Sequence, residues 1–251
     1  MRTGPVLGLA TQVAVLGALA LTIGLSSAAW AAGLAFGLVT WGVLREVELG
    51  PADRVTLARA TLVGGVLALT VDSLTRPIPA AGVVPLAAVA LSLDAVDGWV
   101  ARRTGTASEL GARFDMEVEA FLILVLSVLV ARPVGAWVLA IGLMRYGFVA
   151  AGWALPWLRD PIPRRYWAKV VAAVQGIALV VAASGLLPRG WVVVMVGVAL
   201  VLLVESFGRS VSLLWRHRTG EGASLEFLSG GPVRRGRHAD PAVGQRRDAA
   251  A

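Results

Sequence analysis

The sequence predicts an all-α integral membrane protein, and three observations carry that prediction. Hydrophobic residues make up 57 % of the 251 residues and the mean hydropathy is +0.75, above the roughly half-apolar composition of soluble domains. The apolar residues fall in unbroken runs of about 20, the length at which a helix crosses a bilayer, rather than in the short alternating segments of a β-barrel. The arginines gather at the ends of those runs, and far more heavily on one side than on the other.

Taken in order, the first run covers residues 6–24 behind a Gly4-Pro5 helix start. The second covers 28–44, after a tight Leu25-Ser26-Ser27 turn. Arg2, the first run and Ala29-Trp30-Ala31 also imitate a secretory signal with an A-x-A cleavage site. The run is longer than a usual signal core, and cleavage would leave only a short stub before Arg45, so an uncleaved hairpin is expected. A polar break at 45–54 separates this hairpin from six further runs at 55–74, 80–100, 112–130, 134–155, 167–186 and 191–214. After Trp215 the chain turns to Gly, Arg, Ser, Pro and Asp, which cannot bury a core and is expected to be disordered. Its clusters Arg216/Arg218, Arg234/Arg235/Arg237 and Arg246/Arg247 either rest on anionic lipid or only fix topology. The expected organisation is a transmembrane hairpin over 1–50, a six-helix core over 51–215 and a basic cytoplasmic tail over 216–251.

With a cytoplasmic N-terminus, the inner segments hold Arg45, Arg54, Arg102, Arg103, Arg113, Arg159, Arg164, Arg165, Lys169 and the tail, while the outer loops hold only Arg76, Arg132 and Arg189. That is the positive-inside pattern, so the formal net charge of +7 reads first as topology. Nucleic acid is not an expected partner, because the basic residues are spread over helix ends with no soluble domain to present them. Cysteine is absent, which excludes disulfides and thiolate sites. His217 and His238 lie beyond the last run, so hard oxygen ligation is what remains for any metal.

Four carboxylates interrupt the apolar sequence in the middle of the core. Asp94, Asp97 and Gly98 precede Ala101-Arg102, and Gly111, Asp115 and Glu119 follow. Acids at membrane depth are costly unless neutralised. Asp94 and Asp97 are three residues apart and Asp115 and Glu119 four apart, so on helices each pair shares a face and four oxygen donors would meet at one point. The arrangement resembles the signature of the CDP-alcohol phosphotransferase (CDP-alcohol phosphatidyltransferase) family, D-x2-D-G-x2-A-R-x8-G-x3-D-x3-D, with every spacing kept and Glu119 standing for the last Asp. At usages of roughly 5 to 10 % per residue type, the seven identical positions would coincide by chance below about 10⁻⁷ per starting point. In the stretch that begins at Pro51, Thr56 and Arg59 match the threonine and arginine of the family's P-N-x2-T-x2-R, with Asp53 in place of asparagine. Of the G-K-x-K-T-x2-Q stretch of the glycerophosphate-accepting branch, only Lys169 and Gln175 remain.

The resemblance implies transfer of a phosphatidyl, or other phospho-alcohol, group from a CDP-linked lipid such as CDP-diacylglycerol to a small alcohol, releasing CMP in phospholipid biosynthesis. It implies two Mg²⁺ or Mn²⁺ ions held by Asp94, Asp97, Asp115 and Glu119, with Glu119 also the general base. The nucleotide would be met by Gly98, Ala101, Arg102, Gly111, Thr56 and Arg59. The site would face the cytoplasm of a bacterial plasma membrane, and family members are commonly homodimers. Glu119 adds one methylene to the family's aspartate, a displacement of a kind that can cost about 10²-fold in rate.

Other residues are placed by their own chemistry. Arg145 falls near the middle of an apolar run, where a charge marks a functional site by default and a structural ion pair is the rival reading. Lys169 is the chain's one lysine among 23 basic residues, which suits a position that wants a compact ammonium. With Arg164 and Arg165 these two are expected to bind a phosphate on the acceptor. Glu117 would point away from Asp115 and Glu119. Glu205 and Arg209, four apart, read as an intrahelical pair, and Asp72 as a hydrated interfacial residue paired with Arg76. Trp30, Trp41, Trp153, Trp157, Trp167, Trp191 and Trp215 sit near run ends as an interfacial belt. Two competing functions stay open: an impaired family member acting as a membrane assembly partner, and an ion-coupled transporter, against which the clustering of acids in one segment counts.

Overall fold

The computed structural model describes residues 3–45, 50–104, 109–159 and 166–218. Among these there are eight α-helices and no strand: α1 (Thr3–Thr22), α2 (Ser27–Leu44), α3 (Pro51–Ser73), α4 (Ala80–Thr104), α5 (Glu109–Val134), α6 (Leu139–Ala154), α7 (Tyr166–Ala183) and α8 (Arg189–Arg218). Short 3-10 turns at Ala136–Val138 and Pro156–Arg159 flank α6. Each predicted run is one helix. Several helices continue past their apolar stretch, because helical hydrogen bonds close within the backbone whatever the side chain.

The eight expected runs are the eight helices, as an all-α membrane fold requires. Among the described residues, five segments are long and apolar enough to cross a bilayer: Gly4–Thr22, Ser27–Leu44, Asp53–Ser73, Ala136–Ala154 and Arg189–Arg216. The apolar parts of α4 and α7 are shorter, Ala80–Asp94 and Trp167–Ala183.

Local chemistry sets the helix ends. Ser26 is the N-cap of α2 and its hydroxyl accepts from the Ala29 N–H at 3.2 Å. At α3, Pro51 takes the first position, where its missing N–H costs nothing, and the Asp53 carboxylate accepts from the Gly50 N–H at 2.9 Å. Gly24, between α1 and α2, has φ +76°, a left-handed turn that a side chain would strain.

The span of α3 is 72 % buried, against 22 to 28 % for the other four, so α3 is the axis of the bundle. It packs against α1, α2, α4 and α5; α7 lies against α4, α5 and α8, and α6 against α5. One apolar cluster joins Leu19 of α1 to Val63 and Leu69 of α3, Leu126 of α5, Leu179 of α7 and Val196 of α8. In lipid such clusters hold by close packing more than by transfer from water. A side chain at Gly142 of α6 would meet the Leu124 Cα of α5 at 2.5 Å, so only glycine permits that approach. The buried Gln175 Nε2 donates to the Ala199 carbonyl at 2.8 Å and ties α7 to α8.

Asp72 corrects its expected role. It is buried, not hydrated, and it accepts from the Ser26 N–H at 3.3 Å, from the Ser26 hydroxyl, and from Arg76 Nη2 at 2.6 Å. Arg76 also donates to the carbonyls of Ile23 and Gly24. A single carboxylate thus fastens the α1–α2 turn to the end of α3. The pairing with Arg76 is as expected, and its connection to the hairpin is new.

Candidate functional site

At the opposite end of α3 from Asp72, three helices bring charge together. Asp94 lies in the second half of α4, Asp115 and Glu119 in the first half of α5, and Arg59 in the first half of α3. Arg59 is 1 % exposed, which demands partners for its charge. Its Nη1 lies 2.5 Å from Asp94 Oδ1 and 2.7 Å from Asp115 Oδ1, and its Nη2 donates to the Asp115 backbone carbonyl at 2.8 Å. The two carboxylates remain about one third exposed, at 35 % and 34 %. Arg59 is therefore the buried floor of the cluster and the acids are its accessible rim.

Glu119, half-buried one turn after Asp115, lies within electrostatic reach of Asp94, Asp115, Arg59 and Lys169. Lys169, exposed near the start of α7, reaches Asp94 as well. Three acids and two cations from α3, α4, α5 and α7 thus form one cluster.

Glu117 takes the other side of α5, as its spacing predicts, and accepts from Arg145 Nη2 of α6. The structure therefore separates Arg145 from Lys169, which the sequence places together in one acceptor pocket. Arg145 answers to Glu117, while Lys169 answers to Asp94 and Glu119, with α5 between them. Glu205 pairs with Arg209 as expected and also accepts from Trp167 Nε1 at 3.2 Å. Thr56 is buried one turn before Arg59, and Gly111 is half-buried in the first turn of α5. The backbone of Asp97, Gly98, Ala101 and Arg102 continues α4, but their side chains lie outside the described residues. Arg164, Arg165 and the tail beyond Arg218 lie outside them entirely.

Asp94 and Asp115 offer oxygen from two helices to a single cationic centre, the donor chemistry a hard divalent ion takes. Among the described residues no group of three or more acids or histidines is spaced to hold a metal. Two expected ligands converge, on the Arg59 guanidinium, and Asp115 Oδ1 is buried without a well-aligned hydrogen bond. The oxygen donors are of the chemical type such an ion takes, while in this structure Asp94 and Asp115 are spaced to the Arg59 guanidinium. Arg59 is the buried charge whose contacts with Asp94 and Asp115 the sequence alone does not indicate. The signal that it needs a partner was present, since the argument that marks Arg145, a charge inside an apolar run, applies equally to Arg59.

The sequence profile of the CDP-alcohol phosphatidyltransferase family matches residues 50–204, from the first residue of the α3 cap into α8. No curated protein and no solved structure matches the chain.

Proposed function

Because the chain belongs to the CDP-alcohol phosphatidyltransferase family, whose activity is transfer of a phospho-alcohol group from a CDP-alcohol in phospholipid synthesis, we propose its particular reaction. The donor is a CDP-linked lipid, CDP-diacylglycerol, the acceptor is a phosphorylated small alcohol, and CMP leaves. The observation that carries this reading is the convergence of Asp94 and Asp115 on Arg59, with Glu119 and Lys169 in the same cluster.

In this reading Asp94, Asp97, Asp115 and Glu119 would hold two divalent ions. When bound, such ions neutralise a pyrophosphate and stabilise the leaving nucleotide. Arg59 holds two of those acids in register from the buried side, through both the carboxylate and the main chain of Asp115. Glu119 takes the proton from the acceptor hydroxyl. The freed oxygen bonds to the lipid-side phosphorus, and that phosphorus releases its bond to the CMP phosphate oxygen. Gly98 and Gly111 give the nucleotide close approach to the backbone, and Ala101, Arg102 and Thr56 complete its site. Lys169, with Arg164 and Arg165, binds the acceptor's phosphate by charge-assisted hydrogen bonds. Arg145 contributes there only by leaving Glu117.

The test is incubation of the purified full chain with CDP-diacylglycerol, Mg²⁺ or Mn²⁺, and a panel of alcohols, with lipid products read by mass spectrometry. A phosphorylated acceptor should give product and equimolar CMP, and chelator should abolish both. A folded protein that gives no product with any acceptor would overturn the reading in favour of an assembly partner. A best acceptor without phosphate would overturn its acceptor half.

A further inference from the structure

The end of the bundle opposite the acid cluster carries a second feature that the proposed chemistry does not use. A cavity of about 510 Å³ opens among the α3–α4 connection, the end of α5 and the α7–α8 connection, within the roughly 300 to 1,000 Å³ of small-molecule sites. Its walls are mainly apolar, with Val83 of α4, Leu129 and Val130 of α5, Ala182 of α7 and Val192 of α8 among them. Three charged side chains also line it: Arg76, Arg132 and Arg189.

These three are also the whole basic content of the outer loops under the positive-inside orientation. Arginine on that side opposes the topology signal, and residues that merely happened to be basic would have no reason to share one cavity. They come from the α3–α4 connection, the last turn of α5 and the first residue of α8, so only the fold brings them together. Among the described residues no acid lines the cavity. Arg76 is compensated by Asp72. Arg132 and Arg189 are exposed and have no ion pair among the described residues. The cavity thus joins uncompensated guanidinium charge to apolar wall at a bundle end. That is the chemistry of an anionic headgroup with acyl chains beneath it.

We propose that this cavity binds an anionic phospholipid, its phosphate held by Arg132 and Arg189 and its chains lying against the apolar walls. The site is separate from the acid cluster, and its occupancy does not depend on the reaction proposed above. A zwitterionic lipid matches it less well, since its ammonium would face the same guanidinium groups.

Native mass spectrometry of the full chain in neutral detergent, with phosphatidylglycerol or phosphatidylcholine added, tests this. Phosphatidylglycerol should be retained at least about tenfold more tightly. Arg132→Gln/Arg189→Gln should remove that preference and leave phosphatidylcholine retention unchanged. The basic tail is present in both proteins, so a difference between them belongs to the cavity. Ala183→Phe, which fills the apolar wall, should weaken both lipids while keeping the arginines, and it gives an answer even if the double variant fails to fold. Inorganic phosphate in large excess should not displace the lipid. Equal retention of the two lipids by the native chain would overturn the proposal. So would unchanged phosphatidylglycerol binding in the folded variants, or displacement by free phosphate. A change of oligomeric state in the double variant with lipid retention intact would assign the cavity to a second copy of the chain instead.

Discussion

Replacing Arg59 by methionine keeps most of the side-chain volume and removes the charge on which Asp94 and Asp115 converge. With charge centres about 4 Å apart and an effective dielectric of about 20, each pairing is worth roughly 4 kcal/mol before costs. Two terms reduce that figure. The guanidinium is 1 % exposed and its desolvation costs several kcal/mol in total, and the carboxylates are about one third exposed, so solvent screens their share. A net coupling of about 2 kcal/mol between Arg59 and Asp94 follows, equivalent to roughly a 30-fold change in an unfolding equilibrium constant. The assay is a double-mutant cycle by denaturant titration in detergent, comparing the native chain with Arg59→Met, Asp94→Asn and the pair. Arg59→Met should be the most damaging single change, because it strands two acids, and adding Asp94→Asn should recover part of the loss. Additivity within about 0.5 kcal/mol would refute the view that Arg59 organises the cluster through charge.

Three further outcomes are expected. Glu119→Gln should lose at least about 10²-fold in turnover while donor binding, measured by isothermal titration, persists, and Glu119→Asp should keep or raise activity; a fully active Glu119→Gln removes the residue as base. Lys169→Ala should raise the acceptor KM about tenfold or more with the donor KM unchanged, whereas Arg145→Ala, which breaks a pair with Glu117 on the far side of α5, should change it less than about threefold; equal effects would return Arg145 to the acceptor pocket. Asp72→Ala removes the acceptor of the Ser26 N–H and the buried counter-charge of the 40 % exposed Arg76, which keeps its bonds to the Ile23 and Gly24 carbonyls, and should cost about 1 to 2 kcal/mol of stability with the acid cluster intact; a thermal melt indistinguishable from the native chain's would show that the α1–α2 turn is held by packing alone.

Features that depend only on neighbours along the chain are legible in the amino-acid order. Helical spans follow from the length and continuity of apolar runs, and every run became a helix. The Glu205–Arg209 pair, the facing of Asp115 with Glu119 and the divergence of Glu117 all follow from 3.6 residues per turn. The acid motif was legible for the same reason, its spacings being spacings on helices. Tertiary structure alone decided which charges meet. Arg59 finds Asp94 and Asp115 across 35 and 56 residues, and Arg145 finds Glu117 across 28. Asp72 reaches back 46 residues to Ser26. No periodicity encodes such distances, because they depend on which faces of α3, α5 and α6 pack together. A buried charge in an apolar helix announces that it needs a partner, but the partner's identity belongs to the packing. Arg76, Arg132 and Arg189 show the same division, for their position at the ends of apolar runs is a property of the chain and their gathering at one cavity is a property of the fold.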